Sequence, residues 1–284
     1  MPSLRHHLDL GSRALADGEH PERARQDAER LLLHVLGKGK AWLMTHGEEL
    51  LPCDLPESYS ELLERRYNGE PIQYILGETE FYGLPFRVTP HVLIPRPETE
   101  HLVEKVLSLA ARFPAPRIVD VGTGSGAIAV ALARELPHAR ISATDISEPA
   151  LDVARGNAEL NGVTSCIRFF EGDLLSAVAG EQFDFVASNP PYVPADDRAT
   201  LSVEVGEYEP ALALFAGDDG LAVYRRLISA AFDALTPGGF IVLEIGLGQS
   251  PAIRDMLARS GFERIEFLPD LQGIPRVACA QRPS

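Results

Sequence analysis

Cysteine is scarce in this sequence of 284 residues, which limits the chemistry that the chain can carry. Its three cysteines, Cys53, Cys166 and Cys279, lie far apart and lack the paired spacing of a zinc site or a redox dithiol. An odd number of scattered cysteines is typical of reduced thiols rather than of a disulfide framework. The eight histidines also show no helical metal-ligand spacing. We therefore expect no metal site.

Long apolar runs are absent as well. No segment approaches the length of a membrane span, and the N-terminal Met-Pro-Ser-Leu-Arg-His-His lacks the apolar stretch of a secretory signal. The content of 45% hydrophobic and 24% charged residues is typical of a globular protein with a buried core. The length suits one large domain or two of ordinary size. We expect a cytoplasmic protein that acts as a monomer and does not bind a membrane.

Positive charge is in deficit too, because the formal net charge is −15. The densest basic groups, at residues 38–40 and 65–66, have acidic residues close by. A surface this acidic repels the phosphates of nucleic acids unless a local basic patch outweighs it. We therefore expect no direct contact with nucleic acid.

Residues 1–70 have the pattern of a small helical domain. Pro21 stands at the first turn of a run with apolar residues at helical spacing, and Gly37 ends that run. A second amphipathic run extends from about Pro56 to Tyr67, and no alternating strand pattern appears. A hairpin-like connector is predicted to follow over residues 71–97. Its β-prone pieces, separated by glycine and proline, are residues 72–77, 79–88 and 92–97.

Residues 98–284 have the pattern of an α/β domain, in which predicted strands alternate with predicted helices after an opening helix. The predicted strands are residues 118–121, 140–145, 166–170, 183–188, 240–245, 262–267 and 276–280. Such alternation predicts a doubly wound, mostly parallel sheet of seven strands. The carboxyl ends of its strands are where ligands bind in folds of this kind.

A glycine-rich turn follows the first of these strands. Its residues are Asp120, Val121, Gly122, Thr123, Gly124, Ser125 and Gly126. Glycines allow a tight turn and a close approach of a ligand to the backbone, and the helix that follows offers free N–H groups. Nicotinamide and flavin enzymes use a similar device, but the Gly-x-Gly-x-Gly spacing with a preceding acid differs from theirs.

Acidic residues follow the next two strands. Asp145 ends the second strand, where a carboxylate can accept both hydroxyls of a ribose. Asp173, followed by Leu174, comes after the third strand, where a carboxylate can accept a hydrogen bond from an adenine amine. The pattern favours an adenosine-containing ligand without phosphates. A dehydrogenase and a sheet with incidental acidic turns remain as alternatives.

Asn189-Pro190-Pro191-Tyr192 follows the fourth strand, across the predicted switch point from the glycine turn. Two prolines stiffen the chain and remove two backbone donors. A planar amide or aromatic amine is a poor nucleophile. Its two N–H groups could donate hydrogen bonds to the Asn189 side-chain oxygen and the Pro190 carbonyl. Tyr192 could pack on the planar acceptor. The motif could also be a plain β-turn, but its place in this sheet predicts methylation of a nitrogen.

Further segments resemble the HemK/PrmC family of protein-glutamine methyltransferases. Besides the motifs above, these segments are residues 70–77, 81–83 and 92–100, which look like the family's connector and the start of its catalytic domain. The helical first part matches the family's layout with weaker signals. The resemblance implies a Rossmann-like class I methyltransferase domain with a mostly parallel seven-stranded sheet, preceded by a small N-terminal helical domain.

The resemblance also implies the ligands. The cofactor would be S-adenosyl-L-methionine, with S-adenosyl-L-homocysteine as product, and the substrate would be the glutamine of the Gly-Gly-Gln motif in peptide-chain release factors. The implied cofactor-binding residues are Gly122, Thr123, Gly124, Ser125, Gly126, Asp145, Asp173, Leu174 and Asn189. The implied substrate-binding residues are Asn189, Pro190, Pro191 and Tyr192, of which Asn189, Pro190 and Tyr192 are catalytic. The family often has a large aromatic residue where Leu174 stands. The helical domain would recognise the body of the release factor.

Three charged residues and the identity of the acceptor are left open. Arg96 could lie near the site or pair with Glu98 or Glu100, Glu98 could face the cofactor pocket, and Glu244 is equally ambiguous. Alternative acceptors are a glutamine of a ribosomal protein and an adenine of a nucleic acid, which the net charge disfavours. A non-catalytic partner protein is a third interpretation.

Overall fold

The computed structural model describes residues 3–50 and 55–284. The chain divides into two compact units. The first contains Met1–Gly77 together with Leu201–Tyr208, and the second contains Glu78–Thr200 and Glu209–Ser284. A segment from the C-terminal half therefore belongs to the N-terminal unit.

The first unit is helical. Its elements are α1 Leu4–Leu15, a 3₁₀ turn Pro21–Arg23, α2 Ala24–Leu36, α3 Lys40–His46, α4 Leu55–Tyr67, α5 Ile72–Leu76 and a π-helical turn Glu204–Tyr208. The Ser3 side chain caps α1 by accepting from the backbone N–H of His6 at 3.4 Å. Gly37, in the left-handed region, ends α2 as its sequence position predicts. Leu8, Leu31 and other apolar residues of these helices form the buried core.

The predictions of β-prone pieces at residues 72–77 and 92–97 are wrong, because residues 92–97 contain no strand and Ile72–Leu76 is the short helix α5. Pro71 precedes it, and Gly77 ends it with a φ of 74°. Ile72 and Ile75 lie one helical turn apart, so the helix buries both in the core of the first unit. Packing of this pair outweighs the β preference of isoleucine.

The second unit begins with a hairpin, as its glycine-punctuated sequence predicts. Its strands are β1 Glu78–Phe81 and β2 Leu84–Arg87, which pair antiparallel. Tyr82 and Gly83 join them with φ values of 53° and 68°. Positive φ at both central residues is typical of the turns whose twist matches a two-residue hairpin.

A seven-stranded sheet forms the centre of the second unit, and it confirms the predicted fold. Its strands are β3 Arg117–Val121, β4 Arg140–Asp145, β5 Ile167–Glu171, β6 Phe183–Ser188, β7 Leu235–Glu244, β8 Glu263–Pro269 and β9 Pro275–Gln281. The order is β5-β4-β3-β6-β7-β9-β8, with β3 to β7 parallel and β9 antiparallel to both neighbours. Strand order reverses between β3 and β6, which places the switch point there.

Helices cover this sheet. They are α6 Glu100–Ala110, α7 Ala127–Glu135, α8 Glu148–Leu160, α9 Ala211–Leu214, α10 Ala222–Ala234 and α11 Ser250–Arg259. Neighbouring residues of the central strand β6 belong to two different apolar clusters, since Phe185 packs with α7 residues and Val186 packs with α10 residues. Burial on both faces explains why the strand sequences are continuous apolar runs rather than alternating ones.

Three further findings concern the described residues alone. No helix among them is long and apolar enough to cross a bilayer. No group of three or more histidine, cysteine or acidic residues in residues 3–50 and 55–284 is arranged to hold a metal ion. Cys166 and Cys279 are free thiols, and burial raises the pKa of Cys279 to about 12. Cys53 lies outside the described residues.

Candidate functional site

A cavity of about 310 Å³ opens at the carboxyl ends of β3, β4 and β6. Most of the residues expected to bind a cofactor or substrate line it. These are Gly122, Thr123, Gly124, Ser125, Asp145, Asp173, Leu174, Asn189 and Pro191. Gly126, Pro190 and Tyr192 were expected in the same site but do not line the cavity. Its position at the switch point is the usual place for a ligand in an open α/β sheet.

The glycine turn is held open by its backbone conformation. Gly122 and Gly124 have φ values of 69° and 55°, which residues other than glycine rarely adopt. A Cβ atom at either position would meet nothing within 4 Å, so both glycines border free space. The Thr144 carbonyl anchors the turn by accepting from the N–H groups of Gly122 at 2.8 Å and Thr123 at 3.0 Å. The turn is thus a preformed surface of bare backbone.

Gly126 has a different part in this turn. It caps the start of α7 with a φ of 81°, and a Cβ atom there would lie 3.2 Å from the Cβ of Ala154 in α8. Its lack of a side chain lets two helices approach each other. The expectation that Gly126 touches the cofactor therefore stays a prediction, whereas its contact with α8 is observed.

Asp120 lies buried beneath the turn. Its Oδ2 accepts from Thr123 Oγ1 at 2.6 Å and from the Ala129 N–H at 3.2 Å. Its Oδ1 has no hydrogen-bond partner among the described residues. Burial raises the pKa of Asp120 to about 7. Asp120 thus ties the glycine turn to α7 through one oxygen only.

Asp145, at the end of β4, directs its carboxylate into the cavity. Oδ2 accepts from the Gly124 N–H at 2.8 Å, and Oδ1 accepts from the Ser147 N–H at 2.9 Å. Burial raises the pKa of Asp145, while these backbone donors oppose that rise. A carboxylate fixed by two N–H groups keeps lone pairs for the hydroxyls of a ribose.

Asp173 is paired in a way that the sequence did not indicate. Its Oδ2 accepts from Arg226 of α10, which also lines the cavity. Leu174 beside it has a φ of 53° and packs against apolar residues on one face of the sheet. The apolar contact expected of Leu174 is thus available at the cavity wall.

Arg96 is the second arginine in the cavity wall, and it too is paired. Its Nη2 donates to both oxygens of Glu209, at 2.7 and 2.6 Å, rather than to Glu98 or Glu100. Glu98 is exposed and does not line the cavity, so the expectation that it faces the pocket is wrong. Both arginines of the cavity are committed to carboxylates, which leaves neither to neutralise a phosphate. This wall suits an adenosine ligand without phosphates.

Asn189 lies directly after β6. Its Nδ2 donates to Thr99 Oγ1 at 3.1 Å, and Thr99 Oγ1 donates to Glu244 Oε2 at 2.5 Å. Asn189 Oδ1 has no hydrogen-bond partner in the part of the chain that the structure describes. Ser188 fixes this end of β6 by donating from Oγ to the Val121 carbonyl at 2.6 Å. The amide of Asn189 therefore presents a free acceptor oxygen at the cavity.

The rest of the motif is a rigid support. Pro190 is buried, and no described donor reaches its carbonyl. The Tyr192 carbonyl accepts from Gln249 Nε2 at 3.0 Å, and its ring packs on the apolar cluster around α10. Burial raises the pKa of Tyr192 to about 12, so its phenol stays protonated at neutral pH. Contact of Tyr192 with an acceptor stays a prediction.

Several cavity residues were missed by the sequence analysis. They are His91, Val92, Leu93, Pro95, Thr99, Ala127, Ile128, Ile146, Ser147, Ala150, Gly172, Pro210, Leu212, Ala213, Phe215, Val223 and Arg226. Ile146 and Ser147 could have been found, because they adjoin Asp145 at the end of a predicted strand. Residues 210–215 carry no such signal, since the sequence between the Asn-Pro-Pro-Tyr motif and α10 has no recognisable pattern.

Two family models match the chain. The model described as the PrmC N-terminal domain matches residues 7–77, and the Methyltransferase small domain matches residues 99–204. The chain is 40% identical over 283 residues to the release factor glutamine methyltransferase of Koribacter versatilis, covering 99% of each. It is 45% identical over 258 residues to that of Neisseria gonorrhoeae, covering 90% of this chain and 92% of the relative.

A solved structure supports the fold. The methyltransferase from Pyrococcus furiosus aligns with a TM-score of 0.52 at 20% identity, covering 72% of this chain and 91% of that one. At this identity the likeness speaks for the fold of the second unit alone.

Proposed function

This chain belongs to the family of release factor glutamine methyltransferases, and on that premise we propose that it methylates the glutamine of the Gly-Gly-Gln motif in a peptide-chain release factor. The reaction transfers a methyl group from S-adenosylmethionine to the side-chain amide nitrogen. The observation that carries the proposal is the free Oδ1 of Asn189 at the wall of the cavity. An oxygen in this place can accept an N–H of a primary amide.

The residues of the cavity fit the cofactor. Gly122 and Gly124 border open space, and the carboxylate of Asp145 is fixed by backbone donors beside them. We propose that the remaining cofactor contacts come from Thr123, Ser125, Gly126, Leu174 and Asn189, with Asp173 accepting a hydrogen bond from the adenine amine. When bound, S-adenosylmethionine supplies a methyl group on a positively charged sulfur. The residues of the chain hold the cofactor in position for the transfer.

The acceptor amide has two N–H groups and a delocalised lone pair. We propose that Asn189 Oδ1 accepts one N–H and the Pro190 carbonyl accepts the other, which orients the nitrogen for attack. Neither oxygen is used by another described donor. As the N–C bond forms, the S–CH3 bond would break with S-adenosylhomocysteine as the leaving group, and the N–H proton, acidic only at that stage, would pass to solvent, so no general base has to act first. Catalysis is then mainly positioning within a preorganised site.

We further propose that the helical first unit binds the body of the release factor. Its match to the PrmC N-terminal domain supports this assignment, since relatives of the family share that unit. The net charge of −15 favours a protein acceptor over a nucleic acid. The enzyme is proposed to act as a monomer in the cytoplasm.

The proposal is tested by offering the purified protein three acceptors with labelled S-adenosylmethionine: a release factor, a ribosomal-protein mixture, and DNA with RNA. We expect one methyl group per release factor and none on nucleic acid. Asn189→Ala should reduce turnover by at least about a hundredfold, because it removes an acceptor used in the transition state. Asn161→Ala, which alters an asparagine away from the cavity, is the matched control.

Methyl transfer to ribosomal protein alone would support the alternative glutamine acceptor. Transfer to nucleic acid alone would reject the proposal of a protein substrate. Full activity of Asn189→Ala would remove the role given to that side chain.

A further inference from the structure

Three side chains from separate elements form a continuous hydrogen-bonded row behind the acceptor site. Asn189 follows β6, Thr99 ends the 3₁₀ turn Pro97–Thr99, and Glu244 ends β7. Nδ2 of Asn189 donates to Thr99 Oγ1 at 3.1 Å, and Thr99 donates to Glu244 at 2.5 Å. Thr99 and Glu244 are each 3% exposed, so water does not compete for the bond between them. Only Asn189 and Thr99 of the three line the cavity.

The direction of each bond follows from the chemistry of Glu244. An ionised carboxylate can only accept, so the single hydroxyl proton of Thr99 is committed to Glu244. Towards Asn189, Thr99 can then only accept. The Asn189 amide must therefore turn its NH₂ group to Thr99, which leaves Oδ1 on the side of the acceptor. A flipped amide would place two acceptor oxygens against each other.

We propose that Thr99 and Glu244 are positioning residues that lock the Asn189 amide in the one orientation that offers its oxygen to the substrate. The inference deepens the proposed function and rests on it for the identity of the acceptor. Glu244 touches neither substrate nor cofactor in this account, and it acts through Thr99. The hydrogen bonds themselves do not depend on which acceptor is bound.

Protonation of Glu244 would undo this control. A neutral carboxylic acid can donate to Thr99, which frees the threonine proton to point at a flipped Asn189 amide. Burial raises the pKa of Glu244 to about 7, within the range of an activity assay. The charged and titratable groups that act on Glu244 are Glu98, Arg96, Arg276, Tyr192 and Tyr224. The active form is the ionised one, so the rate should rise with pH through about 7.

Thr99→Val removes the hydroxyl while keeping the shape of the side chain. We expect kcat to fall at least about tenfold, with the KM for S-adenosylmethionine within about threefold, because orientation rather than binding is lost. Thr99→Ser restores the hydroxyl and should recover most of the rate. Thr236→Val is the matched control, since Thr236 also donates to a carboxylate, that of Asp184, and neither residue lines the cavity.

Equal loss in Thr99→Val and Thr99→Ser would assign Thr99 a role of shape and overturn the proposal. A rate for Thr99→Val within twofold of the unchanged protein would overturn it as well.

Glu244→Gln tests the second link. Glutamine is neutral at all pH values and can present either an oxygen or an NH₂ group to Thr99, so the lock is lost. We expect a lower kcat and loss of the acid limb of its pH profile. Asp184→Asn is the matched control and should keep that limb. Burial also raises the pKa of Asp120 to about 7, so Asp120 is a second group that could produce an acid limb. An acid limb that persists unchanged in Glu244→Gln would therefore belong to another group and would contradict the role of Glu244.

A direct readout needs no acceptor at all. The side-chain NH₂ of Asn189, assigned by its disappearance in Asn189→Asp, should exchange its hydrogens slowly in the protein with S-adenosylhomocysteine. Exchange should be at least about tenfold faster in Thr99→Val and slow again in Thr99→Ser. Equal exchange in all three would overturn the proposal. Slow exchange in a protein that methylates no release factor would reject the proposed function and leave the positioning row intact.

Discussion

Asp145 shows how one carboxylate is aimed by its neighbours. Both of its oxygens accept backbone N–H groups, from Gly124 of the glycine turn and from Ser147 at the start of α8. The carboxylate thereby fixes the turn and is itself fixed. Asp120, on the adjacent strand β3, has only one oxygen engaged and is fully buried. Two acids close in space therefore have different parts, the one at the cavity and the other beneath it.

Asp145→Asn should weaken the binding of S-adenosylhomocysteine about tenfold to a hundredfold, or about 1.4–2.8 kcal/mol. The amide would point its NH₂ at one of the two backbone N–H groups and would no longer accept from both ribose hydroxyls. Isothermal titration calorimetry measures the loss. Asp152→Asn, a change at an exposed position of α8, is the control and should bind normally. An affinity for Asp145→Asn within twofold of the unchanged protein would rule out this contact.

At the level of single residues, the sequence predicts the parts of the site that follow strand ends. The glycine turn, Asp145 and Asn189 are such residues, and the sheet brings them to one edge. The partners of these residues could not be predicted. Arg96 and Glu209 are 113 positions apart, and Thr99 and Glu244 are 145 apart, so no local pattern connects them. Such pairs are set by how helices and loops pack above the sheet.

At the scale of elements, helix α4 carries one buried and one exposed arginine, each paired with a carboxylate. Arg66, whose side chain is 1% exposed, donates to Asp27 of α2 at 2.6 Å and to Glu204 of the π-helical turn at 2.5 Å. Its neighbour Arg65 is 45% exposed and pairs with Glu70. Arg66 thus connects α4, α2 and the π-helical turn of the helical unit, whereas Arg65 lies at the surface of that unit. Arg66 and Arg65 therefore allow a buried ion pair to be compared with an exposed one on the same helix.

Arg66→Ala should destabilise the helical unit by about 3–5 kcal/mol, because it leaves the buried carboxylate of Asp27 without its counter-charge. Arg65→Ala should cost no more than about 1 kcal/mol, as is usual for exposed pairs. Trp42 is the only tryptophan and belongs to this unit, so urea unfolding followed by its fluorescence reports the effect. Equal stability of the two variants would contradict the account.

The types of the elements, helix or strand, were predicted more reliably than the compact unit to which each segment belongs. The alternating strands and helices after residue 117 follow from apolar runs and turn residues, and the sheet has the expected order of elements. Helix α5 was missed because two isoleucines favour a strand locally, while burial of both on one side favours a helix. Leu201–Tyr208 belongs to the helical unit, where Glu204 pairs with Arg66, 138 positions away in the sequence, so no local pattern indicates this membership.

In the described part of the chain, burial raises the pKa values of two carboxyls, Asp120 and Glu244, to about 7. For Asp120 the ordinary pKa is 3.8. The folded protein therefore keeps a proton that the unfolded chain releases between about pH 4 and pH 7. Stability from this group is fully present below about pH 4 and is lost as pH rises to about 7, above which it stays constant.

The free energy of unfolding of the unchanged protein, measured relative to that of Asp120→Asn, should fall by about 2–4 kcal/mol between pH 4 and pH 7. Asparagine does not titrate and can still accept from Thr123, so the variant removes the pH dependence of this group alone. Denaturant unfolding at several pH values measures it. Asp152→Asn, at an exposed position, is the control variant. A flat difference for Asp120→Asn would contradict the raised pKa.

The proposed methylation of the Gly-Gly-Gln glutamine involves the cavity, the acceptor motif and the helical unit, and mass spectrometry of the acceptor tests it most directly. A release factor is incubated with S-adenosylmethionine and either the unchanged protein or Asn189→Ala, and the peptide that contains Gly-Gly-Gln is then sequenced by fragmentation. The account predicts one methyl group, on the side-chain nitrogen of that glutamine, and none with Asn189→Ala. A methyl group on any other residue, or the same modification with Asn189→Ala, would contradict it.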